Sequence, residues 1–164
     1  MKKQAKLLAI PFLLISMFTS CSEEKRDSSK EVDLKIDKYV EYWNTGQYDG
    51  IKDLLCEDFE VRMTPLFESE KGIDLFMENV TNVRKSYPDF HITGDEIIYS
   101  TNAVAVRWTI HATSKTRKEM NVKGMSIFHF VDGKIKDEWI SNNDLLWLQQ
   151  LGYTITPPST DEDE

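Results

Sequence analysis

The sequence predicts an α+β fold, with N-terminal helices packed on one face of a mainly antiparallel sheet. Two observations carry this. Apolar residues recur at helical spacing up to Pro88, and from Asp89 onward the period changes to two. Turn signals then divide the second half into strands of similar length, the sign of a meander rather than of alternating βαβ units.

The first helix is read over Val32 to Asn44, where Val32, Ile36, Tyr39, Val40 and Trp43 share one face. Thr45-Gly46-Gln47 ends it, with Gly46 near the C-cap. A shorter helical stretch, Tyr48 to Leu55, and a strand, Phe59 to Met63, follow. Gly72 to Lys85 is the third helix, carrying Ile73, Phe76, Met77, Val80 and Val83. Four strands are expected at Phe90 to Ser100, Ala103 to Thr113, Asn121 to Val131 and Lys134 to Asn143. Two-residue turns join the first pair at Thr101-Asn102 and the last at Asp132-Gly133.

Ahead of this domain lies a different pattern. Lys2, Lys3 and Lys6 precede an apolar run from Leu7 to Phe18, and Thr19-Ser20 place small residues before Cys21. That order of charge, apolar stretch and small residues is a secretory signal. The run is about a dozen residues, short of the roughly 20 that span a bilayer. The domain reading is therefore a signal over 1–20, a lipid-anchor cysteine and flexible tether over 21–31, one domain over 32–155, and an acidic disordered tail over 156–164. Removing 1–20 takes three of the 20 basic residues and none of the 28 acidic ones, leaving a formal charge of −11. Such a surface repels nucleic acid and anionic lipid, and neither is expected as a partner. With Cys21 acylated, Cys56 is the one thiol left, so no internal disulfide forms. No Cys/His spacing suggests a metal. Cys56 itself reads as packing.

If the two turns are regular, the register follows. Val131 faces Lys134, Ser126 opposes Trp139, and Val122 opposes Asn143. This collects Val122, Gly124, Ser126, Phe128 and Phe130 with Ile135, Trp139, Ser141 and Asn143 on the face the helices cover. Lys136, Glu138 and Ile140 fall outside. The first turn sets Val104, Val106, Trp108 and Ile110 beside Tyr99, Ile97, Asp95 and Thr93, with His91 next along and Glu96 opposite Arg107.

The covered face then holds Tyr39, Trp43, Trp108 and Trp139 with a few polar groups: His91, Asp95, Ser126, Ser141 and Asn143. An apolar pocket with sparse convergent polar groups suits a small hydrophobic or carbonyl-containing ligand; a core whose polar residues sit at an open rim fits equally. Histidine is the side chain suited to acid–base work at physiological pH, and His91 is the candidate acid or base on this face. Four residues apart on one strand, roughly 13 Å, His91 and Asp95 form no dyad. His111 and His129 fall on the outer face. Arg107 pairs with Glu96 rather than waiting for an anion.

Three stretches carry a family resemblance: Tyr42-Trp43-Asn44-Thr45-Gly46 with Leu54 to Phe59, Tyr87 to Trp108, and Gly124 to Gly152. In the last, Phe128-x4-Gly133-Lys134-Ile135-x2-Glu138-Trp139 ends in Leu148-Gln149-Gln150-Leu151-Gly152. They resemble the SnoaL-like polyketide cyclase or ester cyclase family of the NTF2-like superfamily, over nearly the whole domain. Phe18-Thr19-Ser20-Cys21 is similar to the lipobox of bacterial lipoproteins, where acyl chains such as palmitate join the cysteine; Phe18 departs from its commonest residue.

The family resemblance implies a cone, a curved sheet wrapped around helices with a pocket at its open end, and homodimers through the outer sheet face. It implies a cofactor-free cyclisation in which an aspartate near the end of the last strand removes a proton beside a carbonyl. That aspartate aligns with Asn143 in this chain, which is no base but can donate a hydrogen bond to a carbonyl. A polar residue common after the family's first strand is also replaced, in Val61-Arg62-Met63. Asp144 takes the base's place only if the strand breaks at Asn142 and turns it inward.

The leading expectation is a lipid-anchored protein of the cell envelope, on its periplasmic or surface side, whose domain binds a small hydrophobic molecule. Asp144 and His91 are the catalytic candidates. The alternative is an interaction or assembly module using Met125, Ile127, His129 and Ile140 on the outer face.

Overall fold

The structure is a computed structural model that describes residues 20–63 and 70–156, with side chains for 30–63 and 71–156. The expected signal segment, the side chain of Cys21 and the tail from 157 lie outside the described residues. The first helix, α1, spans Ser20–Thr45, and α2 spans Ile51–Leu54. Strand β1 (Leu55–Met63) and the two-residue β2 (Glu70–Lys71) precede α3 (Ile73–Ser86). The meander is β3 (His91–Tyr99), β4 (Ala103–Thr113), β5 (Glu119–Val131) and β6 (Lys134–Asn142), and α4 (Asp144–Leu151) closes the described chain.

Among the described residues the strands form one sheet in the order β2-β1-β6-β5-β4-β3. All neighbours are antiparallel except β1 and β6. Helix α1 begins upstream of Val32 and takes in the segment read as a tether. Residues 22–30 have no apolar side chain. Further on, Ile36, Tyr39 and Tyr42 are buried with Phe76 and Val80 of α3 against the inner sheet face. Asn44 fixes the end of α1 on β3. Its Nδ2 donates to the Ile92 carbonyl at 2.9 Å and its Oδ1 accepts from the Ile92 amide at 2.8 Å.

The Asp132-Gly133 turn is as expected. Both residues have positive φ, 49° and 76°, the conformation of a two-residue hairpin turn that glycine adopts without strain. Val131 does face Lys134. The register beyond it is not the regular one. Phe130 pairs with Ile135 but His129 pairs with Asp137, so Lys136 is an extra residue in β6. Because side chains alternate, one extra residue exchanges the two faces of everything after it. Ile127, not Ser126, opposes Trp139, and Glu138, Ile140 and Asn142 turn inward.

A second irregularity sits in β3. Glu96 pairs with Arg107 as expected, with a guanidinium–carboxylate contact of 3.1 Å, but Gly94 pairs with Trp108 and Asp95 is left over. Asp95 therefore joins the outer face, where its Oδ2 accepts from the Thr109 hydroxyl at 2.7 Å. Glycine is needed at one further position, opposite Trp108 on β5. A Cβ on Gly124 would lie 2.1 Å from the indole, which packs flat over that backbone.

Candidate active site

The inner sheet face, α1 and α3 enclose a cavity of about 430 Å³. Its walls are mostly apolar, including Trp43, Phe76, Val106, Trp108, Phe128 and Ile140. Tyr39 is wedged there, its ring stacked on Phe76 at 5.2 Å and edge-on to Phe128 at 5.1 Å. These contacts fix the direction of its hydroxyl. Polar groups sit at two levels: Asn79, Asn82, Asn142, Asn143 and Asp144 line one part, and Glu138 another.

Glu138 is 4% exposed and belongs to a four-residue chain of hydrogen bonds. The Tyr39 hydroxyl donates to one carboxyl oxygen. The Ser126 hydroxyl donates to the other at 2.6 Å, while itself accepting from the Trp108 indole N–H at 2.9 Å. The four residues come from α1, β4, β5 and β6, so the whole fold sets the geometry. Burial in apolar surroundings disfavours the charged carboxylate, and the two hydroxyl donors only partly offset this. The result is a Glu138 carboxyl pushed from the usual 4.5 up to about 7. That is roughly 3 kcal/mol against the ionised form. Tyr39, buried beside it, is held well above the ordinary phenol value by burial and then by the carboxylate charge.

The residues expected from sequence divide. Tyr39, Trp43, Trp108 and Asn143 line the cavity, and Ser126 lies buried behind it, bonded to Trp108 and Glu138. Trp139 does not reach it. The extra residue in β6 turns it outward, 49% exposed, with the Arg62 guanidinium 5.1 Å over its ring. Asp95 is on the outer face for the matching reason in β3. His91, also beyond that bulge, pairs with His111 and is exposed, away from the cavity lining. Strand β6 does end at Asn142, as the Asp144 reading requires. Asn143 caps the following helix, its Oδ1 accepting from the Leu146 amide at 3.0 Å. Asp144 opens that helix at the cavity mouth, exposed rather than buried. Cys56 is absent from the lining, and burial pushes its thiol up rather than activating it.

Glu138 is the cavity residue that sequence reasoning missed. A regular hairpin put it outside. No residue type marks the bulge, since either face of β6 offers a similar mixture of apolar and polar side chains. No group of side chains suited to a metal ion occurs among the described residues.

Residues 34–151 match the model of the SnoaL-like polyketide cyclases. The chain belongs to that family. Solved structures of SnoaL-like fold bear out the NTF2-like architecture. One, provisionally named a polyketide cyclase, from Bacillus cereus, is 24% identical with a TM-score of 0.68, covering 77% of this chain and 84% of its own. TsrD from Streptomyces laurentii is 18% identical with a TM-score of 0.67, over 75% and 96%. AclR from Streptomyces galilaeus, provisionally named a hydroxylase, is 20% identical with a TM-score of 0.65, over 77% and 98%. No curated protein matches the chain. At these identities the neighbours establish the SnoaL-like fold, and the site must be read from the residues present.

The raised Glu138 value has a consequence for stability. A carboxyl whose folded value lies above its unfolded one stabilises the fold fully below about 4.5, and that contribution is lost as pH rises through about 7. Urea unfolding of wild type and Glu138→Gln across that window should show the difference between them falling by about 3 kcal/mol, then levelling. A difference that stays constant over the same range would mean Glu138 ionises as an ordinary surface acid.

Proposed function

We propose that this SnoaL-like domain binds a small, largely hydrophobic molecule inside the cone. The observation that carries the reading is the cavity itself: about 430 Å³ lined mostly by aromatic and aliphatic side chains, with a few polar groups, chiefly Glu138, Asp144 and four asparagines. A neutral ligand fits this division best. Its apolar body replaces water against Trp43, Phe76 and Phe128, while a carbonyl or hydroxyl meets Asn142 or Asn143 at the mouth. A permanently charged ligand would lose its hydration against those walls without a fixed counter-charge. Relatives named as polyketide cyclases support a carbonyl-containing ligand.

Trp43, Trp108 and Trp147 all line the cavity and report on its contents. A neutral naphthalene dye should quench their emission saturably. Asn142→Trp, which crowds the mouth, should weaken dye binding at least about tenfold, the worth of roughly 1.4 kcal/mol. Equal binding by a folded Asn142→Trp variant would place the dye elsewhere and remove the main support for the pocket.

The membrane anchor remains part of the proposal. It is supported by the Lys-rich start, the apolar run and Cys21; no helix among the described residues is long and apolar enough to cross a membrane. A homodimer through the outer sheet face is supported by the exposed side chains of Ile98, Met125, Ile127 and Trp139. Expressed in bacteria with an alkyne-tagged palmitate, the wild-type chain should carry label and fractionate with membranes. Cys21→Ala should lose the label, leave the membrane fraction and sediment as a dimer. A labelled Cys21→Ala chain contradicts the anchor, and a strictly monomeric one contradicts the dimer.

A further inference from the structure

The cavity holds one buried ionisable carboxyl, Glu138; of the expected bases, His91 is on the outer face, and Asp144 lines the cavity but is exposed. We propose that Glu138 is the catalytic base of the cavity, removing a proton from a neutral carbon acid whose C–H is activated by an adjacent electron-withdrawing group. This rests on the cavity being a ligand site. It adds that the site does chemistry and names the residue that does it.

The geometry supplies what such a base needs. Glu138 lines the cavity, so a bound molecule can meet its carboxyl. Both oxygens are held by hydroxyl donors from different elements, Tyr39 on α1 and Ser126 on β5, which leaves the group little freedom to rotate. The residue is 4% exposed, and a desolvated carboxylate is a stronger base toward carbon than a hydrated one. Its ionisation responds to few neighbours. α1 presents Tyr39 and β5 presents Ser126; from β4 comes Trp108 through Ser126, and from β1 the apolar Val61. Asp144 of α4 is the other acid lining the cavity. With a value of about 7, roughly half the molecules carry the basic form at neutral pH.

The elimination of 5-nitrobenzisoxazole tests this without knowledge of the natural substrate. The carboxylate takes the proton from the ring carbon, and that C–H electron pair forms the nitrile. The N–O bond breaks and its electrons leave on oxygen, giving a coloured cyanonitrophenolate. Glu138 then returns the proton to water, so no oxidant, reductant or metal enters the balance.

With full-length detergent-solubilised protein, turnover should rise with pH along a single ionisation centred near 7, because the carboxylate is the active form. Glu138→Gln should lower the rate at least about 100-fold, the lower end of what a positioned base contributes. Its dye binding by tryptophan quenching should persist. Tyr39→Phe removes a donor to the carboxylate, so its profile should keep its shape and move to higher pH. That shift decides the matter even if Glu138→Gln fails to fold, since a purely structural Tyr39 would leave the midpoint unchanged. Probe that binds without Glu138-dependent turnover overturns the base and spares the pocket. Probe and dye that both fail to bind overturn the pocket, and the base with it.

Discussion

Glu138 reaches the cavity only because β6 accommodates Lys136 as an extra residue where it pairs with β5. With regular pairing, Trp139 would fill the space and the carboxyl would face solvent. The bulge thus exchanges a bulky indole for an ionisable group and leaves room for a ligand in the same step. The bulge in β3 does the complementary work, sending Asp95 and His91 outward and leaving Gly94 and Ile92 facing the helices. Both irregularities remove volume or charge from the inner face, and together they open a cavity in what would otherwise be a filled core.

Burying a carboxyl in that setting is costly, and the structure answers with hydroxyls rather than with a cation. Neither Tyr39 nor Ser126 carries a compensating charge, so the group is stabilised in both protonation states and locked in neither. A lysine or arginine in place of Tyr39 would have kept Glu138 ionised at every physiological pH. The same Tyr39 is a core residue, packed on Phe76 and Phe128. Its placement ties the hydrogen bond to the packing of helices on sheet. The site is built on rigid elements, and Trp108, flat over Gly124, supports it from behind through Ser126.

Much of this was legible from the chain alone. Helical spacing from Val32 to Asn44, the period of two after Asp89 and the Asp132-Gly133 turn correspond to elements that exist, because each reflects local geometry. The helical aromatics Tyr39 and Trp43 face inward as read. Side chains near the turns, such as Glu96 opposite Arg107, keep their expected partners. What failed lies beyond the bulges. A bulge arises from how a whole sheet curves around its helices, and neither Lys136 nor Asp95 differs locally from its neighbours. The regular hairpin register placed Trp139 inward; the extra residue turns it outward, where the Arg62 guanidinium lies over its ring. The start of α1 shows the converse: the polar segment 22–30, without apolar residues, is part of a helix that Ile36 and Tyr39 anchor further on.

Infrared spectroscopy of the carboxyl groups from about pH 5 to about 9 tests the central claim directly, since ordinary carboxylates are already ionised over most of that range. Wild type should retain one carboxylic acid band that disappears with a midpoint near 7 and is missing from Glu138→Gln. A wild-type spectrum without such a band, or a band that survives in Glu138→Gln, would contradict the account.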